Sequence, residues 1–198
     1  IGVDTSPAML AKARKSFPGA GYEIGDVASW EPPVPADLLF ANAVLQWVPD
    51  HEDLLPRLIS RLKPGGVLAI QLPDNLGEPS HRSMVAAAED GSWGARLEKA
   101  AAARTELMSV VDTYDLLAPV CRYVDIWTTI YQHPLDGHDA IVDWFRSTGL
   151  KPYLDPLDEA EKVGFLEAYK ARLETAYVLQ RDGKVLLSFP RRFIVAVR

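Results

Sequence analysis

Acidic and amide side chains stand just past short apolar runs in the first half of this chain: Asp4 after "IGV", Asp26 after "YEIG", Asn42 after "LLFA", and "PDN" at 73–75 after "VLAIQL". If those runs are strands of an open parallel sheet, the polar residues lie outside the carboxyl ends of the strands, where such sheets bind ligands. A carboxylate after the strand that precedes the first helix can accept hydrogen bonds from both hydroxyls of a ribose, and one at the next strand end can take a hydrogen bond from an adenine amino group. Two acids in series therefore describe a nucleoside. A phosphate would call for glycines and helix N-termini, and the chain has no phosphate loop. Asp4 also suits a nicotinamide-dependent dehydrogenase, and either acid could serve only as a helix cap or turn residue.

The stretch "FANAVLQWVPD" at 40–50 sets Asn42, Gln46 and Trp47 where a buried strand gives way to a helix starting at Pro49-Asp50. Other chemistry finds less support. The four histidines, His51, His81, His133 and His138, show no metal-ligand spacing, and surface or hydrogen-bonding roles suit them. The single Cys121 allows no disulfide within the chain, reads as a small buried hydrophobe heading a strand, and fits a reduced, cytoplasmic setting. A net charge of -6 and a pI near 5.2 argue against a nucleic-acid partner, which needs a clustered basic surface. No apolar run approaches the ~20 residues of a membrane span, and nothing resembles a signal peptide.

The elements that must position these residues can be read in order. With 198 residues, 48% hydrophobic and 24% charged, the chain can bury one sizeable core. "IGVD" reads as a strand already in progress, as in a piece trimmed from a longer product; Ser6-Pro7 then caps the helix "PAMLAKARKSF". "GYEIGD" and "DLLFA" are strands around a proline-rich loop. Asp50 caps the helix "HEDLLPRLISRLK", with Pro56 near its first turn, and "VLAIQLP" is a strand buried on both faces. Ala-, Glu- and Arg-rich helical segments follow ("PSHRSMVAAAED", "WGARLEKAAAA", "TELMSVVDTYDLLA"). Then come the strand "RYVDIWTTIYQH", two helices and the final strand "VLLSFPRRFIVAVR". The pattern predicts an α/β fold with a Rossmann-like, doubly wound, mostly parallel sheet, in which residues 74–121 and 138–180 are helical insertions forming a lid or substrate region within one domain, 1–198.

Taken together, "IGVDTSPAMLAKAR", "GD" at 25–26, "ADLLFANAVLQWVPD" and "LKPGGVLAIQLPDN" resemble the successive motifs of class I S-adenosylmethionine-dependent methyltransferases. That family has a seven-stranded sheet whose last strand is antiparallel; its first strand and glycine-rich loop have no counterpart here. "NAVLQWVPDH", "QLPDNLGEPSH", "VDIWTTIYQH", "DWFRSTGLKPYL" and "FPRRFIVAVR" are similar to bacterial trans-aconitate 2-methyltransferases along essentially the whole chain. The resemblance implies S-adenosyl-L-methionine as cofactor, S-adenosyl-L-homocysteine as its product, and no metal.

It also implies roles. Asp4 would bind the ribose diol, with Thr5, Ser6 and Met9 near the sugar and adenine. Asp26, with Val27 and Ala28, would recognise the adenine, and Asn42, Ala43 and Gln46 would border the sulfonium. Trp47 would wall the reaction chamber or pack the core at a strand-to-helix joint. The implied reaction esterifies one carboxylate of trans-aconitate, a small polycarboxylate partner. Arginine suits such a substrate because it grips a carboxylate with two parallel hydrogen bonds. Candidates are His81, Arg82, Tyr131, His133, Arg172, and Arg191 or Arg192, with His81, Tyr131 and Arg191 foremost. The rivals are a methyltransferase for another small acceptor, a nicotinamide-binding dehydrogenase and a non-catalytic binding module.

Overall fold

The computed structural model describes residues 1–90, 93–101 and 106–198. Strands β1 (Gly2–Asp4) and β2 (Tyr22–Ile24) pair in parallel, joined by helix α1 (Pro7–Ser16). Ser6 caps α1 as expected, its hydroxyl accepting from the Met9 N–H at 3.3 Å. A second sheet has the order β3-β4-β6-β5, built from β3 (Ala36–Asn42), β4 (Leu62–Pro73), β5 (Tyr123–Leu135) and β6 (Val185–Val197). β3 and β4 run parallel, and β6 lies antiparallel to both β4 and β5. The α/β fold with an antiparallel last strand is therefore as the sequence suggests, with its strands hydrogen-bonded as two sheets.

Helix α2 (His51–Ser60) returns the chain from β3 to β4. Its Leu54, Leu55, Leu58 and Ile59 pack on Leu68, Ile70 and Leu72 of β4 and on Ile194 and Ala196 of β6, closing one face of the larger sheet. Full burial of such a side chain stabilises by ~1.5–3 kcal/mol. Helix α5 (Val110–Leu117) adds Leu117 to the same core. A second core joins helices α3 (Pro79–Asp90), α4 (Gly94–Ala101), α6 (Gly137–Arg146), α7 (Lys151–Leu154) and α8 (Glu159–Ala176) to the first half of β6. Met84, Leu97, Phe145, Phe165 and Tyr169 fill it against Leu187 and Phe189. Helix α8 starts at a reciprocal cap, in which Asp158 accepts from the Glu161 N–H at 2.9 Å and Glu161 accepts from the Asp158 N–H at 3.0 Å.

The opposite face of the larger sheet carries Leu38, Phe40 and Trp127, which are 57%, 69% and 42% exposed. Further along β6 the same face is covered, where Val185, Leu187 and Phe189 pack into the second core.

Three local expectations change. Asp50 stands at the start of α2, but its φ of 57° turns its carboxylate away and no side-chain cap forms. Pro56 falls inside α2 rather than near its first turn, because the helix already begins at His51. Of the helical segments predicted at 93–103 and 105–118, α4 and α5 appear; 106–109 is not helical, because Ser109 caps α5 and starts it at Val110, and 102–105 lies outside the described residues. No helix among the described residues is long and apolar enough to cross a membrane.

Candidate active site

Two cavities meet at the carboxyl ends of β1 to β4. The larger, about 570 Å³, is bounded by Val3, Asp4 and Thr5 at the end of β1, by Gly25, Asp26, Val27 and Ala28 after β2, and by Ala43, Val44, Trp47, Val48 and Pro49 after β3. Asp4 Oδ1 accepts from the Ser6 N–H at 2.7 Å, and Asp26 Oδ1 accepts from the Ala28 N–H at 2.8 Å. These short loops fix each carboxylate while engaging only one oxygen of each. Gly25 is required by space, because a Cβ there would meet Trp30 Cδ1 at 2.9 Å.

The smaller sheet is tied to the larger by Arg61, at the end of α2. Its Nη1 donates to the Val27 carbonyl at 3.1 Å and its Nη2 to Glu31 at 2.6 Å, while its own carbonyl accepts from the Ala36 N–H at 2.9 Å. The Arg61 guanidinium holds the Glu31 carboxyl below its ordinary pKa. Arg61 thus anchors the loop carrying Asp26 and Val27 to the start of β3.

The second cavity, about 340 Å³, shares Ala43 and Trp47 with the first. Its remaining walls come from Gln46, from Pro73 and Asn75 past β4, from His81 on α3, from Trp144, Phe145, Thr148 and Gly149 on and after α6, and from Phe189 and Arg191 on β6. Ala43 adopts a left-handed φ of 53°, uncommon for a residue with a Cβ. The conformation is held from two sides: the Ala43 N–H donates to the Gln71 carbonyl at 2.8 Å, and the Ala43 carbonyl accepts from Gln46 Nε2 at 2.8 Å. Gln46 is 4% exposed, and its Oε1 has no partner among the described residues. Trp47, on the following 3-10 turn (Leu45–Trp47), is 50% exposed and belongs to neither core.

His81 is buried, lies edge-on to Phe145 at 4.9 Å, and has Nδ1 3.5 Å from Ser80 Oγ. Gly149 packs close by: a Cβ there would crowd Met84 Cε and Phe145 Cδ1, each at 3.3 Å, and reach His81 Nε2 at 3.4 Å. Arg191 extends past the Tyr131 ring at 5.7 Å and the Phe189 ring at 5.1 Å, and Nη1 donates to Gln71 Oε1 at 3.3 Å. Cationic guanidinium over ring faces is a favourable arrangement that leaves its N–H edge available.

The structure gathers some of the predicted residues and separates others. Asp4, Thr5, Asp26, Val27 and Ala28 share the larger cavity; Gln46, Trp47, His81 and Arg191 share the smaller; Ala43 borders both. Ser6 is taken up in capping α1, and Met9, 55% exposed, bounds neither cavity. Asn42 is still on β3, in register with Gln71 of β4 on the face away from α2, whereas Gln46 follows the turn at Ala43. Arg82 lines a neighbouring cavity of about 370 Å³ beyond His81. His133 stands behind the wall, its ring 4.8 Å from Trp144 and 6.0 Å from Phe189. Arg172 is not brought to the site: it pairs with Asp90 and donates to the Ala168 carbonyl at 2.8 Å, tying α8 to α3. Arg192 is spent on Asp74, at 2.6 and 3.0 Å, and on the Met108 carbonyl.

Asn75 enters the site as part of the strand-end "PDN" at 73–75, whereas Trp144, Thr148 and Phe189 carry no strand-end signal. The only signal for Trp144 and Thr148 was the polar-aromatic mixture of "DWFRSTG". Cys121 is half-buried, and burial pushes its thiol pKa up, away from nucleophilic use. No cluster of three or more His, Cys, Asp or Glu among the described residues could hold a metal ion.

A family model described as a methyltransferase domain matches residues 1–70. The chain is 56% identical over 200 residues to a trans-aconitate 2-methyltransferase of Methylobacterium nodulans, covering 100% of this chain and 77% of that protein. It is 53% identical over 199 residues to the trans-aconitate 2-methyltransferase of Paracidovorax citrulli, covering 100% and 76%. Among solved structures, the YcgJ protein of Bacillus subtilis shares the fold with a TM-score of 0.57 at 13% identity, over 100% of this chain and 81% of that one. Phosphoethanolamine N-methyltransferase 2 of Haemonchus contortus, in complex with phosphomonomethylethanolamine and S-adenosylhomocysteine, does so with a TM-score of 0.51 at 17% identity, over 100% and 42%.

Proposed function

This chain belongs to the family of trans-aconitate 2-methyltransferases, and from that premise we infer that it transfers a methyl group from S-adenosylmethionine to a carboxylate of trans-aconitate, giving a monomethyl ester. The observation that carries a reaction at this site is the shared wall: Ala43 and Trp47 border both the cavity with the two strand-end acids and the cavity with Arg191 and His81. A donor in one and an acceptor in the other would meet there.

The larger cavity suits the cofactor. It offers two carboxylates, each with an oxygen not engaged by its own loop, between apolar walls of Val3, Val27, Val44 and Val48. Asp4 would hold the ribose hydroxyls and Asp26 the adenine amino group. S-adenosylmethionine supplies an electrophilic methyl group on a cationic sulfur.

The chain's own residues then have a positioning task. A carboxylate has a reference pKa near ~4 and is ionised at neutral pH, so no side chain must remove a proton. Arg191 and His81 would hold the acceptor, and Trp47, Trp144 and Phe189 would exclude water from it. Gln46 Oε1, buried and without a partner among the described residues, is suited to face the positive end of the donor rather than the anionic acceptor. The helices of 74–121 and 138–180, which supply His81, Trp144 and Thr148, act as the lid and substrate region in this reading.

The test is incubation of the protein with S-adenosylmethionine and a panel of small acids. Trans-aconitate should gain one methylene in mass and lose one titratable carboxyl. Absence of product across the polycarboxylates would overturn the assignment, and a preferred acceptor elsewhere in the panel would redirect it.

A further inference from the structure

Ser80, His81 and Tyr177 form a chain of contacts behind the acceptor cavity, and all three are buried, at 1%, 6% and 7% exposure. His81 stands in the first turn of α3, with Phe145 set edge-on to its imidazole at 4.9 Å. The two ring nitrogens have different surroundings. Nδ1 faces inward, 3.5 Å from Ser80 Oγ. Nε2 lies beside Gly149, which together with His81 borders both the cavity of about 340 Å³ and the neighbouring one of about 370 Å³.

Ser80 is itself held from behind. Its N–H is one of the donors that the start of a helix leaves without an intrahelical partner, and it donates to Tyr177 Oη at 3.1 Å. Tyr177, just past the end of α8, is fixed by its own N–H, which donates to the Leu173 carbonyl at 2.8 Å, and by its carbonyl, 2.7 Å from His138 Nε2. A carbonyl only accepts, so His138 is the donor there. Burial pushes the Tyr177 pKa up, against hydrogen bonding with Ser80, so the phenol keeps its proton at neutral pH. Tyr177 can turn that proton toward Ser80 Oγ, and Ser80 can turn its own toward His81 Nδ1. A neutral imidazole whose Nδ1 accepts carries its proton on Nε2. The other tautomer would present a lone pair to an anion.

We propose that Ser80 and Tyr177 are positioning residues for His81: they hold Nδ1 inward as an acceptor, so that Nε2–H is aimed into the cavity at a carboxylate of the methyl acceptor. The proposal rests on the reading above in which His81 holds that acceptor. At 3.5 Å the contact between Ser80 and His81 is at the outer limit of a hydrogen bond. It shortens when a carboxylate engages Nε2–H, because hydrogen bonds in a chain polarise one another. Since Ser80 lies on α3 and Tyr177 follows α8, the aim of His81 depends on how these two helices pack.

The experiment measures kcat and KM for trans-aconitate in wild type, Ser80→Ala, Tyr177→Phe and His81→Leu, and in each of the first two variants combined with His81→Leu. Ser80→Ala should raise KM about fivefold and Tyr177→Phe about threefold, the worth of one neutral hydrogen bond, with KM for S-adenosylmethionine unchanged. Neither should add to the loss in His81→Leu, because both act through that ring. Nitrogen NMR of the His81 imidazole should report the Nε2–H tautomer in wild type and a mixture in Ser80→Ala, a change that a purely structural hydroxyl would not produce. Unchanged KM in either single variant overturns the role of that residue. An equal loss in the His81→Leu background, or an Nδ1–H tautomer in wild type, overturns the proposal and leaves the methyltransferase reading standing. His81→Leu with a wild-type KM overturns the proposal together with the place of His81 at the acceptor, and wild type that methylates no polycarboxylate overturns the whole reading.

Discussion

Arg191 and Arg192 are neighbours on β6, and strand alternation sends them to opposite faces of the same sheet. On the covered face, Arg192 is 8% exposed and fully employed, with two contacts to Asp74 and one to the Met108 carbonyl. On the other face, Arg191 meets an amide oxygen and two aromatic rings. The difference teaches how a fold separates a structural charge from an available one. A cation buried beside a core must bring its own carboxylate, and the pair is then closed to any ligand. Where rings and an amide hold the cation instead, its charge is oriented without being cancelled, and it can still recognise an anion.

The largest test of that contrast is Arg191→Met. Loss of a hydrogen-bonded charge partner for the substrate should weaken acceptor binding by ~2–4 kcal/mol, seen as a rise in KM for trans-aconitate of roughly 30-fold to 1000-fold. The thermal midpoint should hardly move, because no carboxylate on the protein is left stranded. Equal losses of stability and of acceptor affinity would show that the two arginines are not different in kind.

Arg192→Met should do the reverse. It strands Asp74, whose side chain is 30% exposed, and frees the Met108 carbonyl. The expected cost is ~1–3 kcal/mol of folding stability, below that of a wholly buried pair because water still reaches Asp74. Denaturant unfolding would measure it, and KM for the acceptor should stay within about twofold of wild type.

These outcomes also bear on what the sequence could disclose. The two acids at the ends of β1 and β2 were legible because strand, turn and helix signals are local, and a strand end states where the ligand side lies. Adjacent arginines on a strand were legible as pointing in opposite directions, but which one meets an acid depends on Asp74 and Met108, far away in the chain. Arg172 looked equally available until α8 packed on α3 and supplied Asp90. Asn42 and Gln46 looked like one pair of amides. The left-handed turn at Ala43 divides them, sending Asn42 to the face away from α2 and Gln46 toward the cavity junction. Trp144 and Thr148 gained a place at the cavity only through tertiary packing of α6, which no local periodicity encodes.

The smallest effect tests whether an unpaired buried polar group is by itself a mark of a site. Tyr169 is such a group in the second core: it is 0% exposed, its hydroxyl has no partner among the described residues, and burial pushes its pKa far up. Unlike Gln46, it bounds none of the cavities described above. Tyr169→Phe removes the unmet hydroxyl and keeps the ring, which packs in a core with Phe165 and Leu173. The substitution should therefore leave stability unchanged or raise it by up to about 1 kcal/mol, with KM for both substrates unaltered. A gain or no change in the denaturation midpoint, with both KM values unaltered, would mark the Tyr169 hydroxyl as a buried defect outside the site. If Tyr169→Phe instead destabilised the protein by more than ~1 kcal/mol, its hydroxyl would have a partner in solution, and the same possibility would then have to be tested for Gln46 Oε1.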